Sequence, residues 1–288
     1  NASRAVFFTR FLASRVVSAQ IALAETIKAI SNGRLLTMFF YGYLFELDWN
    51  VGSGHNAMRR LLESPLVDIL SAAYSYGAAT RTLGIGFSPH GPADAAAAHG
   101  KMYVHEDDTR TVLCNTSAAA TLNHTCTATH MLTNLADTQT MILRNGITAA
   151  LRGNSLYYFD LFDQGWYGNP DFRSESVAIW RAISGVMRIT NAVDATQPTA
   201  FAPEVVVFVD EVAQTHMTVS EPYGARGGLS NDTLVRDLLR HASDQLTLLG
   251  APIRLHLLTD LLSSSFSISA FKVAIFLNAF APDAAVRA

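Results

Sequence analysis

The chain has 288 residues, 49% of them hydrophobic and 16% charged, and a formal net charge of −3. That much apolar content can bury a sizeable core, in one large domain or two ordinary ones, and places the chain among globular proteins. The charge balance, with no Lys/Arg cluster beyond pairs such as Arg59–Arg60, excludes the basic footprint of a nucleic-acid binder.

In chain order, residues 4–31 carry Val6, Phe7, Phe11, Leu12, Val16, Val17, Ile21, Leu23, Ile27 and Ile30 at three- and four-residue steps, which predicts an amphipathic helix ending at Asn32–Gly33. An apolar strand follows in "LLTMFFYGYLF", then a Gly-rich loop, a helix through Met58, Leu61 and Leu62, and a second strand in "VDILSAAYSY". The order repeats: a Gly/Pro loop from Gly77 to Pro92, the helix "PADAAAAHG", the strand "KMYVHE", the helix "THMLTNLADTQTMILRNGITAALRG", the strand "SLYYFDLF" and the helix "DFRSESVAIWRAISGVMRIT". Strands that alternate with helices and read as near-continuous apolar runs predict an α/β fold with a parallel sheet covered on both faces. Aromatic, acidic and glycine residues gather just after each strand, as at the carboxyl-end face of a (β/α)8 barrel, of which these units would supply half. A small-residue, Pro-containing stretch at 190–203 predicts a linker. Beyond it "EVVVFVD", "NDTLVRDLLRHASDQLTLLG", "IRLHLLTDLL" and "FKVAIFLNAF" predict a second, smaller α/β unit.

The most apolar stretches, "RLLTMFFYGYLFEL" and "FKVAIFLNAFAP", fall short of the roughly 20 apolar residues a spanning helix needs, so no membrane span is expected. The opening "NASRAVFFTRFLASRVV" has no initiator Met and no signal-peptide order, which reads as a processed product or an excerpt of something longer. N-x-[ST] triplets stand at Asn1, Asn115, Asn123 and Asn231, two of them between the only cysteines, Cys114 and Cys126. That clustering points to a secreted glycoprotein with a Cys114–Cys126 disulfide, the alternative being two buried thiols. No Cys/His pair has zinc-ligand spacing, so neither metal nor cofactor is expected.

The strings "FFYGYLFEL", "LLESPLVDILSAAYSYG", "HGKMYVHEDDTRT" and "YYFDLFDQGWYGNPDF", in that order and followed by "APEVVVFVDE", resemble β-galactosidase-type retaining glycoside hydrolases and their agarase-like relatives. The resemblance implies that residues 1–190 are the second half of a (β/α)8 TIM barrel and residues 203–288 part of a flavodoxin-like α/β domain of the kind used in trimerisation. It makes 35–45 the fifth barrel strand, 67–76 the sixth, 101–106 the seventh and 155–162 the eighth. The family's nucleophile, a glutamate ending the seventh strand, matches Glu106. Retaining hydrolysis also needs a second carboxyl roughly 5–5.5 Å away to protonate the leaving oxygen. In the family that residue lies in an Asn-Glu pair ending the fourth strand, which would precede Asn1, and Glu25 is a poor substitute.

By the same resemblance Asp160 and Trp166 fall in the eighth-strand segment, where an aromatic platform stacks on the sugar. Tyr74 and Tyr76 would orient the nucleophile or touch sugar. Arg110 would keep Glu106 ionised, and Asp107, Asp108 and Arg110 read more readily as an ion-pair network fixing the loop than as substrate ligands. Glu46 and Asp48 are weaker candidates on a solvated loop, while His99 and His105 read as structural. Each aromatic also has a plain reading as core, Trp166 as a plug in the barrel mouth. The segment "NTSAAATLNHT" between the cysteines reads as an insertion on the active-site face.

Three functions follow from these residues. One is retaining hydrolysis of a β-linked, galactoside-type sugar by Glu106, with the proton donor upstream of Asn1. Another is a catalytically inactive extracellular structural or assembly glycoprotein on a glycosidase fold. A half barrel leaves apolar surface uncovered, so either reading expects homo-oligomerisation or a partner supplying the missing half. A third is a lectin-like carbohydrate binder that keeps Trp166 and lacks turnover.

Overall fold

The computed structural model describes residues 2–45, 54–76, 81–115, 132–160, 165–192, 203–216 and 236–287. Helix α1 (Ala2–Ser31) ends where Asn32 and Gly33 adopt φ of 50° and 72°, and the Gly33 N–H donates to the Lys28 carbonyl at 2.8 Å. Glycine reaches that left-handed geometry without a Cβ penalty, which explains the stop at the predicted residue. Strand β1 (Met38–Phe40) pairs in parallel with β2 (Ile69–Ala73), Met38 opposite Ile69. Between them lies α2 (Met58–Glu63). β1 is much shorter than the run 35–45 suggested. Gly42 turns the chain at φ 96°, and a Cβ on Gly91 would fall 1.9 Å from the Gly42 carbonyl oxygen, so two backbones meet where the strand stops.

Helix α3 (Ala93–Ala98), strand β3 (Met102–Asp107), helix α4 (Leu135–Leu151), strand β4 (Ser155–Tyr158) and helix α5 (Arg173–Ala192) follow. The Asn134 side chain caps α4 by accepting from the Asp137 N–H at 2.8 Å. Strands β5 (Val205–Val209), β6 (Ile253–Leu257) and β7 (Val273–Phe276) form a three-stranded sheet in the order β6-β5-β7, with β5 parallel to both neighbours. The first four strands form a separate sheet in the order β1-β2-β3-β4. The fold is α/β.

Contacts divide the chain into two compact units. The first unit, however, joins Asn1–Ala72 and Ser88–Val104 to Ala202–Ala288, so residues beyond 203 do not stand apart. The bonds inside this unit give the reason. Asp94 of α3 is buried, pairs with Arg254 at 2.7 Å and accepts the Leu255 N–H of β6 at 2.8 Å. Glu211 accepts the Met58 N–H at 2.5 Å, and Asn56 donates to Gln214 at 2.7 Å. One core runs through Val17, Leu44, Leu61, Leu70, Tyr103, Val207, Val209 and Leu255. Each such fully buried aliphatic side chain contributes about 1.5–3 kcal/mol. Val206 and Phe208, on the opposite face of β5, enter a second cluster, so that strand is covered on both sides. The first sheet departs from the expectation of two covered faces: Met38, Phe40 and Met102 are 50%, 40% and 47% exposed.

The segment Ser3–Ser31 is long and apolar enough to cross a membrane by length and composition, with a mean hydropathy of 1.3. The two stretches weighed from sequence were not the ones that pass this test, and much of this helix's predicted apolar face is uncovered: Phe7, Phe11, Leu23 and Ile30 are each more than half exposed. In the structure Ala13, Val17 and Ala24 are fully buried, Arg60 donates to Ser14 and Ser18, and Lys28 pairs with Asp68 at 2.6 Å.

The second unit comprises Ala73–Phe87 and His105–Phe201. Its core packs α4 on α5 through Ile142, Ile179, Ile183 and Val186, with Leu113, Trp166 and Tyr167 beside them. A Cβ on Gly146 would come within 2.2 Å of Val186 Cγ1, so the helices touch there only because residue 146 is glycine. The linker core 193–202, Glu46 and Asp48, and the glycosylation triplets at Asn1, Asn123 and Asn231 lie outside the described residues.

Candidate active site at the strand ends

Alternation along β3 buries Tyr103, His105 and Asp107 and leaves Glu106 half-buried on the other face. The backbone at this strand end is held from both sides. The Tyr74 N–H donates to the Glu106 carbonyl at 3.2 Å, and the Phe159 N–H to the Asp107 carbonyl at 2.8 Å. The Tyr157 hydroxyl, on β4, donates to Glu106 Oε2 at 2.6 Å. A short bond from a neutral donor to a carboxylate oxygen is among the stronger hydrogen bonds a protein makes, and it fixes the rotamer of the acid.

The neighbouring acids are drawn into a separate network. Asp107 is fully buried; its Oδ1 accepts the Thr109 N–H at 3.0 Å and the Thr109 hydroxyl, and its Oδ2 accepts from Asn145 at 2.9 Å. Burial raises the Asp107 pKa, outweighing the bonds from Thr109 and Asn145 that pull it down. The hydroxyls of Tyr74 and Thr109 are 2.6 Å apart, and burial pushes the Tyr74 phenol up to about 12. Asp108 pairs with Arg81 at 2.6 Å, both side chains nearly enclosed. Arg81 also donates to the carbonyls of Ser75 and Tyr74, and its guanidinium carbon lies 4.1 Å from the Tyr74 ring centroid and 4.8 Å from that of Tyr76.

The cation holding this loop is therefore Arg81, where the sequence suggested Arg110. Arg110 instead stacks toward Trp166, its guanidinium carbon 5.8 Å from the ring centroid. Trp166 is corrected as well. Its indole is 0% exposed, in the cluster with Ile142 and Ile179, and so offers no platform to a sugar. Asp160 accepts the Trp166 N–H at 2.8 Å, which pins the turn carrying that indole. Tyr74 is buried too, and of the aromatic candidates only Tyr76, at 37%, exposes much surface.

His105 sits beside Asn154, Nε2 to Nδ2 3.1 Å, and His99 lies at the end of α3 against Asp260 at 3.0 Å. Among the described residues no group of three or more His, Cys, Asp or Glu is placed to hold a metal ion. Cys114 is disulfide-bonded; Cys126, the only other cysteine, lies outside the described residues. The backbone of Asn115 belongs to the short helical turn Val112–Asn115.

Sequence reasoning missed Arg81, Asn145 and Tyr157. Arg81 is the one Lys or Arg between Gly77 and Pro92, a signal that was available: an isolated cation in a small-residue loop just past an aromatic strand end. Tyr157 lay in a strand already identified, and Asn145 had no sequence signal apart from its helix. No protein-family model matches the chain, and no curated protein matches it.

Proposed function

We propose that this chain belongs to a retaining glycoside hydrolase-like protein in which Glu106 attacks a β-linked, galactoside-type sugar. What supports the reading is the contrast among three consecutive acids: Asp107 and Asp108 are buried in their own network, while Glu106 is half-exposed at the strand end with one oxygen held by Tyr157 at 2.6 Å. In this reading the first sheet supplies barrel strands five to eight, residues 203–288 part of a flavodoxin-like domain, and the proton donor lies upstream of Asn1. The Glu106 carboxylate would form a bond to the anomeric carbon as the glycosidic C–O bond breaks. The donor carboxyl would protonate the leaving oxygen, and water would then release the sugar from the ester. Carbohydrate is the partner, the compartment is extracellular, and the open apolar face of β1 and β3 is covered by the rest of the barrel or another subunit.

A 2-fluoro galactoside with a good leaving group tests this on the natural full-length protein. Peptide mapping should find the sugar esterified on Glu106, and Glu106→Gln should show no label. Absence of labelling on any glutamate, with no hydrolysis of aryl β-galactosides, would sink the hydrolase.

The second reading, an inactive extracellular structural or assembly glycoprotein, is favoured by one observation: Trp166 and Tyr74, the aromatics expected at the sugar, are both fully buried. Under it, the same experiment gives neither label nor turnover while the protein still assembles.

A further inference from the structure

Helix α5 has two apolar faces, and only one of them is covered by the described residues. Ile179, Ala182, Ile183 and Val186 are buried in the core shared with α4. On a separate face Val177, Trp180 and Met187 are 47%, 55% and 57% exposed. Together with Arg173, Ser184 and Asn191, which are also exposed, they recur at alternating steps of four and three residues along the helix. That 3.5-residue repeat is the spacing at which one helix seats against another. At a rise of 1.5 Å per residue, the seam from 173 to 191 runs about 27 Å.

The first half of the seam opens on a cleft. Pro170, Arg173, Val177, Trp180 and Arg181 are among the residues lining it, and its volume is about 420 Å³. A Cβ on Gly168 would come 3.2 Å from Trp180 Nε1, so the indole leans on bare backbone, which holds the ring at the edge of the cleft. Such a hollow beside an exposed tryptophan and arginines is where interface energy concentrates, because those side chains bring large area and charge-assisted donors together.

Charge decides what occupies the seam. Glu175 is the only acid in α5, against Arg173, Arg181 and Arg188. Among the described residues none of these three arginines is in an ion pair. Arg181 and Arg188 stand seven residues apart, each directly after a seam residue, Trp180 and Met187. That flanking position is the one from which paired helices select their partners by charge. A second α5 laid antiparallel would set arginine against arginine, whereas an acidic helix would answer both. A saccharide would occupy the Trp180 cleft and leave Met187 bare, so the length of the seam favours a helix.

We propose that the exposed face of α5 docks an acidic amphipathic helix of another protein, with apolar residues at heptad spacing, Asp or Glu flanking them, and one apolar side chain seated in the Trp180 cleft. The surface is independent of hydrolysis at Glu106.

Fluorescence anisotropy of two labelled three-heptad peptides tests this on the natural full-length protein. Both peptides carry leucine along the seam; one has glutamate at the flanking positions and the other lysine. The acidic peptide should bind about tenfold or more tightly than the lysine peptide, and added salt should narrow the gap. Trp180→Ala should weaken the acidic peptide about tenfold or more. Arg181→Glu combined with Arg188→Glu should transfer the preference to the lysine peptide, an outcome that loss of folding does not produce. Equal affinity for the two peptides, or undetectable binding of the acidic one, would overturn the proposal. A wild type that sediments as a dimer and a Trp180→Ala variant that sediments as a monomer would overturn it as well, since the seam would then belong to a second copy. So would displacement of the acidic peptide by a galacto-oligosaccharide, because the cleft would then be a sugar site.

Discussion

Both units bury carboxylates, but they treat them differently. In the first unit Asp94 and Asp260 have both oxygens occupied: Asp94 by Arg254 and the Leu255 N–H, Asp260 by His99 and by His256 with the Leu257 N–H. Such acids tie segments together. In the second unit Asp107 likewise has both oxygens occupied and Asp108 pairs with Arg81, whereas Glu106, bonded by Tyr157, is half-exposed. A buried acid bonded between segments is structural, whereas a half-exposed acid at a strand end is open to a ligand.

Glu106→Gln gives the widest separation of the two kinds. It keeps an acceptor for Tyr157, so thermal stability should change little, while turnover by the natural protein should fall on the order of a thousandfold or more, read as kcat on an aryl β-galactoside. A loss of stability without a loss of turnover would move Glu106 into the structural class. Arg81→Met should do the opposite. It leaves Asp108 buried without its cation and should cost about 3–5 kcal/mol of unfolding free energy in a urea titration. An Arg81→Met protein as stable as wild type would mean that the loop is held without the pair.

What could be read beforehand follows the same division. The run 4–31 and its Asn32–Gly33 stop, the parallel strands around 69–73, 102–107 and 205–209, and the acid at residue 106 were legible because period and punctuation are local. The strand break at Gly42 was not, because its cause is a glycine 49 residues later, Gly91, whose missing side chain lets another backbone in. Pairing of Asp108 with Arg81 rather than with Arg110 two residues away was hidden for a similar reason. An ion pair is decided by which charges the folded loops bring together, and here proximity in sequence gave the wrong partner. Burial of Trp166 also depends on α4 and α5, which no motif at 166 reports.

The pH response of the first unit sharpens the contrast between kinds of acid. Burial pushes the Glu211 carboxyl up to about 7, even though it accepts N–H bonds from Met58 and Arg59, and Asp210 and Asp260 add to the rise. A raised carboxyl favours its protonated folded form, so its contribution is fully present below about pH 4.5 and is lost as pH climbs through 7. The size of the loss is about 3 kcal/mol. Asp260 runs the other way: burial alone would raise it, but the bonds from His256 and His99 outweigh burial and hold it below its ordinary value, so its contribution fades as pH falls. Urea unfolding of wild type and Glu211→Gln from pH 5 to pH 8 should show the wild type losing stability relative to the variant as pH rises. Parallel curves would mean that Glu211 stays ionised throughout.

Gly146→Ala should have the smallest effect, and it asks whether the second unit's site depends on its helix pair. The new methyl would meet Val186 Cγ1 at 2.2 Å, and valine has no rotamer that withdraws both methyls, so α4 must shift against α5 at a cost of about 1–3 kcal/mol. Asn145, the preceding residue, holds Asp107 Oδ2 at 2.9 Å and is itself bonded by Arg144 at 2.8 Å, so the shift is transmitted to the acid next to Glu106. Val186→Ala in the same chain should restore stability by making room. If the paired variant recovers stability and fluorosugar labelling together, helix spacing positions the strand-end acids. If stability returns without labelling, Asn145 has a narrower tolerance than the core it sits in.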